Sequence, residues 1–140
     1  MLAVTVTYSG QFWQSQFPAL FRHEVVERSI DDVVDAGIER LNDRFAMRPG
    51  GVYLSVEQAG KGKASTGHYR RSIHTERRDL TAIINDSNVV YGPWLEGVSS
   101  RNERSRFKGY RVWRQTRDWL DSKVDEIVQK RIRSFVERYG

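Results

Sequence analysis

Three histidines, His23, His68 and His74, are the first residues of this 140-residue chain to test for acid–base or metal chemistry. His68 and His74 lie six apart around a predicted strand, an even spacing that sets both on one side of it. No HExxH or related ligand spacing accompanies them, so the pattern supports no metal site and implies no cofactor. Asp31, Asp35 and Glu39 recur at four-residue steps and share one helix face. Two such carboxylates could serve a hydrolase. A solvated face opposite an apolar stripe explains them as well, with Arg28, Arg40 and Arg44 near enough to offset the charge. No G-x-S-x-G elbow is present to present a serine nucleophile. The glycine- and lysine-bearing run AGKGKASTG at 59–67 lacks the G-x-x-x-x-G-K-[ST] spacing of a phosphate-binding loop.

The remaining chemistry concentrates in residues 89–111, VVYGPWLEGVSSRNERSRFKGYR. Glu96 follows Trp94 and Leu95, where burial is expected, and a buried carboxylate needs a partner. Arg70, Arg71, Arg101 and Arg106 are the expected partners, through a bidentate arginine contact. Residues 101–117 hold Arg101, Arg104, Arg106, Lys108, Arg111, Arg114 and Arg117 against Glu103 alone. Phe107, Tyr110 and Trp113 interleave with them. Arginines between aromatics suit a nucleic-acid backbone, but a protein interface is the preferred reading of this block. Trp113 falls on a helical apolar stripe and is expected in the core.

The elements that must position these residues follow from periodicity. Residues 2–8 alternate Leu2, Val4, Val6 and Tyr8 with Ala3, Thr5 and Thr7, which predicts a strand. Residues 17–46 carry Phe17, Leu20, Phe21, Val25, Ile30, Val33, Val34, Ile38, Leu41 and Phe45 at three- and four-residue steps, predicting one long helix. Pro18 suits its first turn and Gly37 marks a kink or a close packing contact. Residues 52–58, 68–76 and 79–84 read as further strands, with 59–67 a flexible loop. In 68–76, Tyr69, Arg71, Ile73 and Thr75 share one face of the expected strand. From about 110 to 138 the period is helical again, with Trp113, Leu120, Val124, Ile127, Val128, Ile132 and Phe135 as the stripe. The expected fold is a single α+β domain over 1–140. It has an antiparallel sheet of about four strands, packed by a long N-terminal helix and a long C-terminal helix.

Composition bounds the rest. The chain has no cysteine, which excludes disulfides, thiolate zinc sites and a cysteine nucleophile. No apolar run reaches the roughly 18 residues of a membrane span, so no membrane partner is expected. The first 21 residues carry no charge, but the positive flank of a signal peptide is missing and Thr5, Thr7, Gln11 and Gln14 interrupt its apolar stretch. Net charge is +5, and the 101–117 block supplies most of the excess.

Two segments together resemble a known family. STGHYRRSI at 65–73 and VVYGPWLEGVSSRNERSRFKGYRVW at 89–113 are similar to the neck and tail-completion proteins of long-tailed, siphovirus-type bacteriophages. Thr66, Gly67, Tyr69, Ser72 and Ile73 match that family's T-G-x-[LY]-x-x-S-I pattern. Tyr91, Gly92, Trp94, Leu95 and Glu96 match its Y-[AG]-x-[YW]-[LV]-E turn. The chain departs from the family where Gly97 directly follows the acid and where SRFKGYR replaces a proline–phenylalanine step. The resemblance implies a structural protein without catalysis, assembled in the host cytoplasm into the virion at the head–tail junction or tail. It implies connector, neck and tail proteins as partners, and a homo-oligomer that could close as a ring. Arg101, Arg104, Arg106, Phe107 and Tyr110 are then an exposed contact surface, with weak non-specific DNA contact as a further expectation. The alternatives are a small basic nucleic-acid-binding protein and, behind it, an RNase-type toxin.

Overall fold

A computed structural model of the chain describes residues 1–5, 18–46 and 68–139. The expected strand at 52–58, the loop at 59–67, and with it Thr66 and Gly67, lie outside the described residues. Within them the chain is mixed helix and strand, with a three-stranded antiparallel sheet ordered β1-β3-β2. Strand β1 spans Leu2–Thr5, β2 His74–Arg78 and β3 Thr81–Asn85.

The register places Leu2 opposite Ile84 and Val4 opposite Ala82. Leu2, Ala82 and Ile84 are buried, so the period-two pattern of β1 and β3 gives the sheet its core face. Strand β2 pairs Thr75 with Ile84 and Arg77 with Ala82. It is exposed from Thr75 onward and forms a charged edge, which discourages further pairing. Asp79 and Leu80 make the two-residue turn between β2 and β3, and Asp79 has φ +49°, the positive value that such turns require first.

The helix expected over 17–46 is three successive segments: α1 at Pro18–Phe21, a π-helical turn at Arg22–Glu27, and α2 at Arg28–Ala46. Apolar residues five apart, Phe21 to Val26 and Val25 to Ile30, fit the wider turn, whose hydrogen bonds run five residues back. Helix α2 buries Ile30, Val33, Val34, Leu41 and Phe45. Gly37 is a close packing contact: a Cβ there would lie 3.0 Å from Ile84 Cδ1 and 3.1 Å from Leu120 Cδ1. Asp31, Asp35 and Glu39 form the exposed face, where Asp31 pairs with Arg77 of β2.

The segment 68–76 is not one strand. Residues His68–Ser72 form a short helix, α3, and β2 begins only at His74. Tyr69 and Ile73 are four apart, a step that fits a helix as well as a strand, so periodicity alone could not separate them. Burial of Tyr69 against Phe45, ring centroids 5.0 Å apart, selects the helix. Two further five-residue helices, α4 at Gly92–Glu96 and α5 at Ser100–Arg104, occupy the stretch expected to be a turn and loop. The long final helix, α6, runs Val112–Tyr139. Its first half buries Val112, Trp113, Thr116 and Leu120. Beyond Leu120 the residues Val124, Ile127, Val128, Ile132 and Phe135 are half-buried, and Phe135 meets Phe21 edge-on at 5.3 Å.

Candidate functional site

The described residues that carry the sequence motifs converge where α3, α4 and the start of α6 meet. A Cβ at Gly92 would crowd the Asp86 carboxylate, so any larger residue there requires the group that holds Tyr69 to shift. Pro93 sits in the first turn of α4, where its missing N–H costs nothing. Gly97 ends α4 with φ +97°, and the amides of Gly97 and Val98 both donate to the Pro93 carbonyl, at 3.0 and 2.9 Å.

Glu96, the last residue of α4, has a different partner from the one expected. Among the described residues no arginine side chain pairs with it. Its carboxylate accepts from the Trp113 amide at 2.9 Å and the Arg114 amide at 3.0 Å. These are N–H groups at the start of α6 that have no partner inside that helix. A carboxylate is also favoured there by the helix dipole. Glu96 is thus the cap of the longest helix. The bidentate arginine contact forms elsewhere, from Arg131 to Asp32 at 2.6 and 2.7 Å, joining α6 to α2.

Tyr69 ties the same helix to the sheet end. Its hydroxyl accepts from Trp113 Nε1 at 2.9 Å and donates to Asp86 Oδ2 at 2.9 Å. Burial, reinforced by the negative charge of Asp86, holds the Tyr69 proton far above the usual tyrosine range, against the lowering effect of the Trp113 bond. Tyr91 packs on Tyr69 with centroids 5.9 Å apart, and burial raises its hydroxyl too.

Residues 97–110 form a loop closed at its base. The Tyr110 amide donates to the Leu95 carbonyl, and Gly109, at φ +89°, lies against Gly97. A Cβ on either glycine would strike the other strand's backbone. Inside the loop, Ser99 and Asn102 make a reciprocal cap for α5. Buried Asn102 also donates to the carbonyls of Trp94 and Phe107, at 3.0 and 3.1 Å. Lys108 folds inward onto the Asn102 carbonyl at 2.8 Å. Trp94, Phe107 and Tyr110 stack in series, with centroids 4.5 and 4.9 Å apart. Arg101, Arg104, Arg106, Arg111 and Arg114 are exposed, and among the described residues none of their guanidinium groups has an ion-pair or hydrogen-bond partner.

An open groove of about 370 Å³ lies beside this loop. Tyr69, Asp86, Glu96 and Trp113 line it, and Met1, Val90 and Val98 stand exposed at 81, 95 and 63 % around it. Large apolar side chains this exposed are usual at contact surfaces. Both Glu96 oxygens hold amides, and Asp86 Oδ2 holds Tyr69.

His68 and His74 do not converge. His74 Nδ1 lies 2.9 Å from Ser87 Oγ, and Nε2 lies 3.4 Å from Glu76 Oε1. This constellation, unseen in the sequence, has the residue types of a nucleophilic triad. However, the Ser87 hydroxyl also donates to the Ser72 carbonyl at 2.8 Å, so it ties α3 to the end of β3. Hydrogen bonds from Asn85 and then His74 lower the Glu76 carboxyl below its usual range. Asp86, Asn102 and Gly109 also escaped sequence reasoning, although Ser99-x-x-Asn102 carries the spacing of a helix cap.

Comparison of the chain with protein-family models, with curated proteins and with solved structures finds no match. Among the described residues, no helix is long and apolar enough to cross a membrane.

Proposed function

We propose that this chain is a structural virion protein of the phage head–tail junction, a neck or tail-completion component that assembles with connector and tail proteins. The observation that carries the reading is the shared task of the motif residues. Tyr69, Gly92 and Glu96, from segments about 20 residues apart in sequence, act on the same helix start or on Asp86 beside it. Trp94 and Leu95 pack the unit from inside. A motif that builds a support and leaves a rim of bare valines and arginines suits a protein whose work is contact. The exposed Met1, Val90 and Val98 supply an apolar patch for a connector or tail subunit, and repetition of such contacts around an axis would give a ring. The finer fold belonging to this reading is a sheet of about four antiparallel strands packed by a long N-terminal and a long C-terminal helix.

The test is head–tail joining in an infected-cell extract lacking this protein. Heads and tails should accumulate separately and join when the purified protein is added. Normal joining without it would refute the proposal.

A further inference from the structure

We propose that the arginine-bearing end of the molecule binds the phosphodiester backbone of duplex nucleic acid, without reading bases. The inference rests on the chemistry of this end alone and not on the head–tail reading.

Arg101, Arg104 and Arg106 project from the closed loop, and Arg111 and Arg114 from the start of α6. The base of the loop and the helix start are adjacent, because Glu96 bonds the Arg114 amide while its neighbour Gly97 packs on Gly109. Both sets of guanidinium groups therefore sit at one end of the protein. They are bare, with Glu103 as the sole acid between 97 and 117. They are also pre-positioned, since the loop beneath them is fixed by the Gly97–Gly109 crossing, the Asn102 bonds and the inward turn of Lys108. Fixing the support in advance lowers the entropy lost on binding.

Two features select a phosphate backbone over an acidic protein surface. Protein interfaces centre on apolar or aromatic anchors that become fully buried; the exposed Met1, Val90 and Val98 stand on the groove beside the loop, whereas between 99 and 117, where these arginines lie, no large hydrophobic residue is strongly exposed. The aromatic residues that could have stacked on unpaired bases are occupied with one another, Trp94 on Phe107 and Phe107 on Tyr110. What remains outward is guanidinium, a group matched to phosphate oxygens.

The experiment uses the full-length protein and a fluorescent mixed-sequence DNA duplex of about 30 base pairs. With these arginines engaged, affinity should fall by a few hundred-fold between about 50 and about 200 mM salt, and only about tenfold for R101Q/R104Q/R106Q. R133Q, on the far half of α6, should behave as wild type, and circular dichroism should report all three proteins folded. Duplexes of unrelated sequence should bind alike. Binding to polyglutamate as tight as to DNA would overturn the proposal in favour of an acidic protein partner. A tenfold preference for single-stranded DNA would overturn it in favour of base stacking. Failure of the wild type to bind at about 50 mM salt, or an unchanged salt slope in the triple variant, would overturn it outright.

Discussion

Arginine is used in opposite ways at the two ends of α6. Toward the C-terminal end it is structural. Arg131 grips Asp32 with two hydrogen bonds, and Arg138 reaches Glu24 at 3.3 Å, fastening half-buried helix surfaces that offer limited apolar area. Toward the N-terminal end the guanidinium groups of Arg111 and Arg114 have no partner among the described residues, and Arg117 meets only its neighbour Asp118. There the chain is held by a glutamate on helix amides, an asparagine on carbonyls and two crossing glycines. These devices act on the backbone and spend no positive charge. The contrast teaches that a dense basic segment need not be held by ion pairs to its own basic side chains. Where backbone-directed bonds supply the order, the charges remain available.

Substitutions can break this contrast, and the largest effect belongs to the glycine crossing. Gly109→Ala forces a Cβ into the backbone of Gly97 at a left-handed φ, and should cost about 3 kcal/mol in urea unfolding. Tyr69→Phe should come next, at about 2 kcal/mol, because it leaves the Trp113 ring N–H buried without an acceptor. Its effect also depends on pH. The folded-state proton affinity of Tyr69 is raised above that of the unfolded chain, so the stabilisation is complete below the unfolded value of about 10 and is lost as pH rises beyond it. Thermal melts should therefore show a steep alkaline loss in the wild type and a shallower one in Tyr69→Phe.

Glu96→Ala removes the cap of α6 and should cost about 1–2 kcal/mol in chemical denaturation. Glu96→Gln, which keeps one carbonyl acceptor, should recover part of that loss. The arginines sharpen the comparison directly. Arg131→Ala should destabilise by about 1 kcal/mol, since its pair with Asp32 is only partly shielded from water. Arg104→Ala should stay within about 0.5 kcal/mol of the wild type and show its effect in partner binding instead. Equal stability losses at these two positions would erase the distinction between the ends.

Much of the frame could be read from residue order. The alternation Leu2–Val4 marked β1, and the stripe from Trp113 to Phe135 marked α6, because burial imposes its own period on a regular element. Gly37, out of place in a helix, was legible as a kink or a close packing contact, and the contact is what forms. Tyr69 was not: its four-residue step to Ile73 fits two geometries, and only contact with Phe45, Asp86 and Trp113 decides between them. Helices α4 and α5 are too short to announce themselves by period, and local caps hold them, Gly97 at the end of α4 and the Ser99–Asn102 pair at the start of α5. The partner of Glu96 was missed because composition points to side chains. Seven basic residues nearby drew attention, while the amides that bind it belong to every residue and leave no mark in the sequence.

The contact between Gly97 and Gly109 has a consequence for how such a protein can diversify. Since the two ends of the intervening segment already touch, its length and charge are decoupled from the rest of the chain. Apart from Asn102 and Phe107, which hold Trp94, residues 98–108 are open to exchange as a cassette. Another sequence could be spliced between the same two glycines, giving the surface a new specificity while the sheet and α6 kept their places.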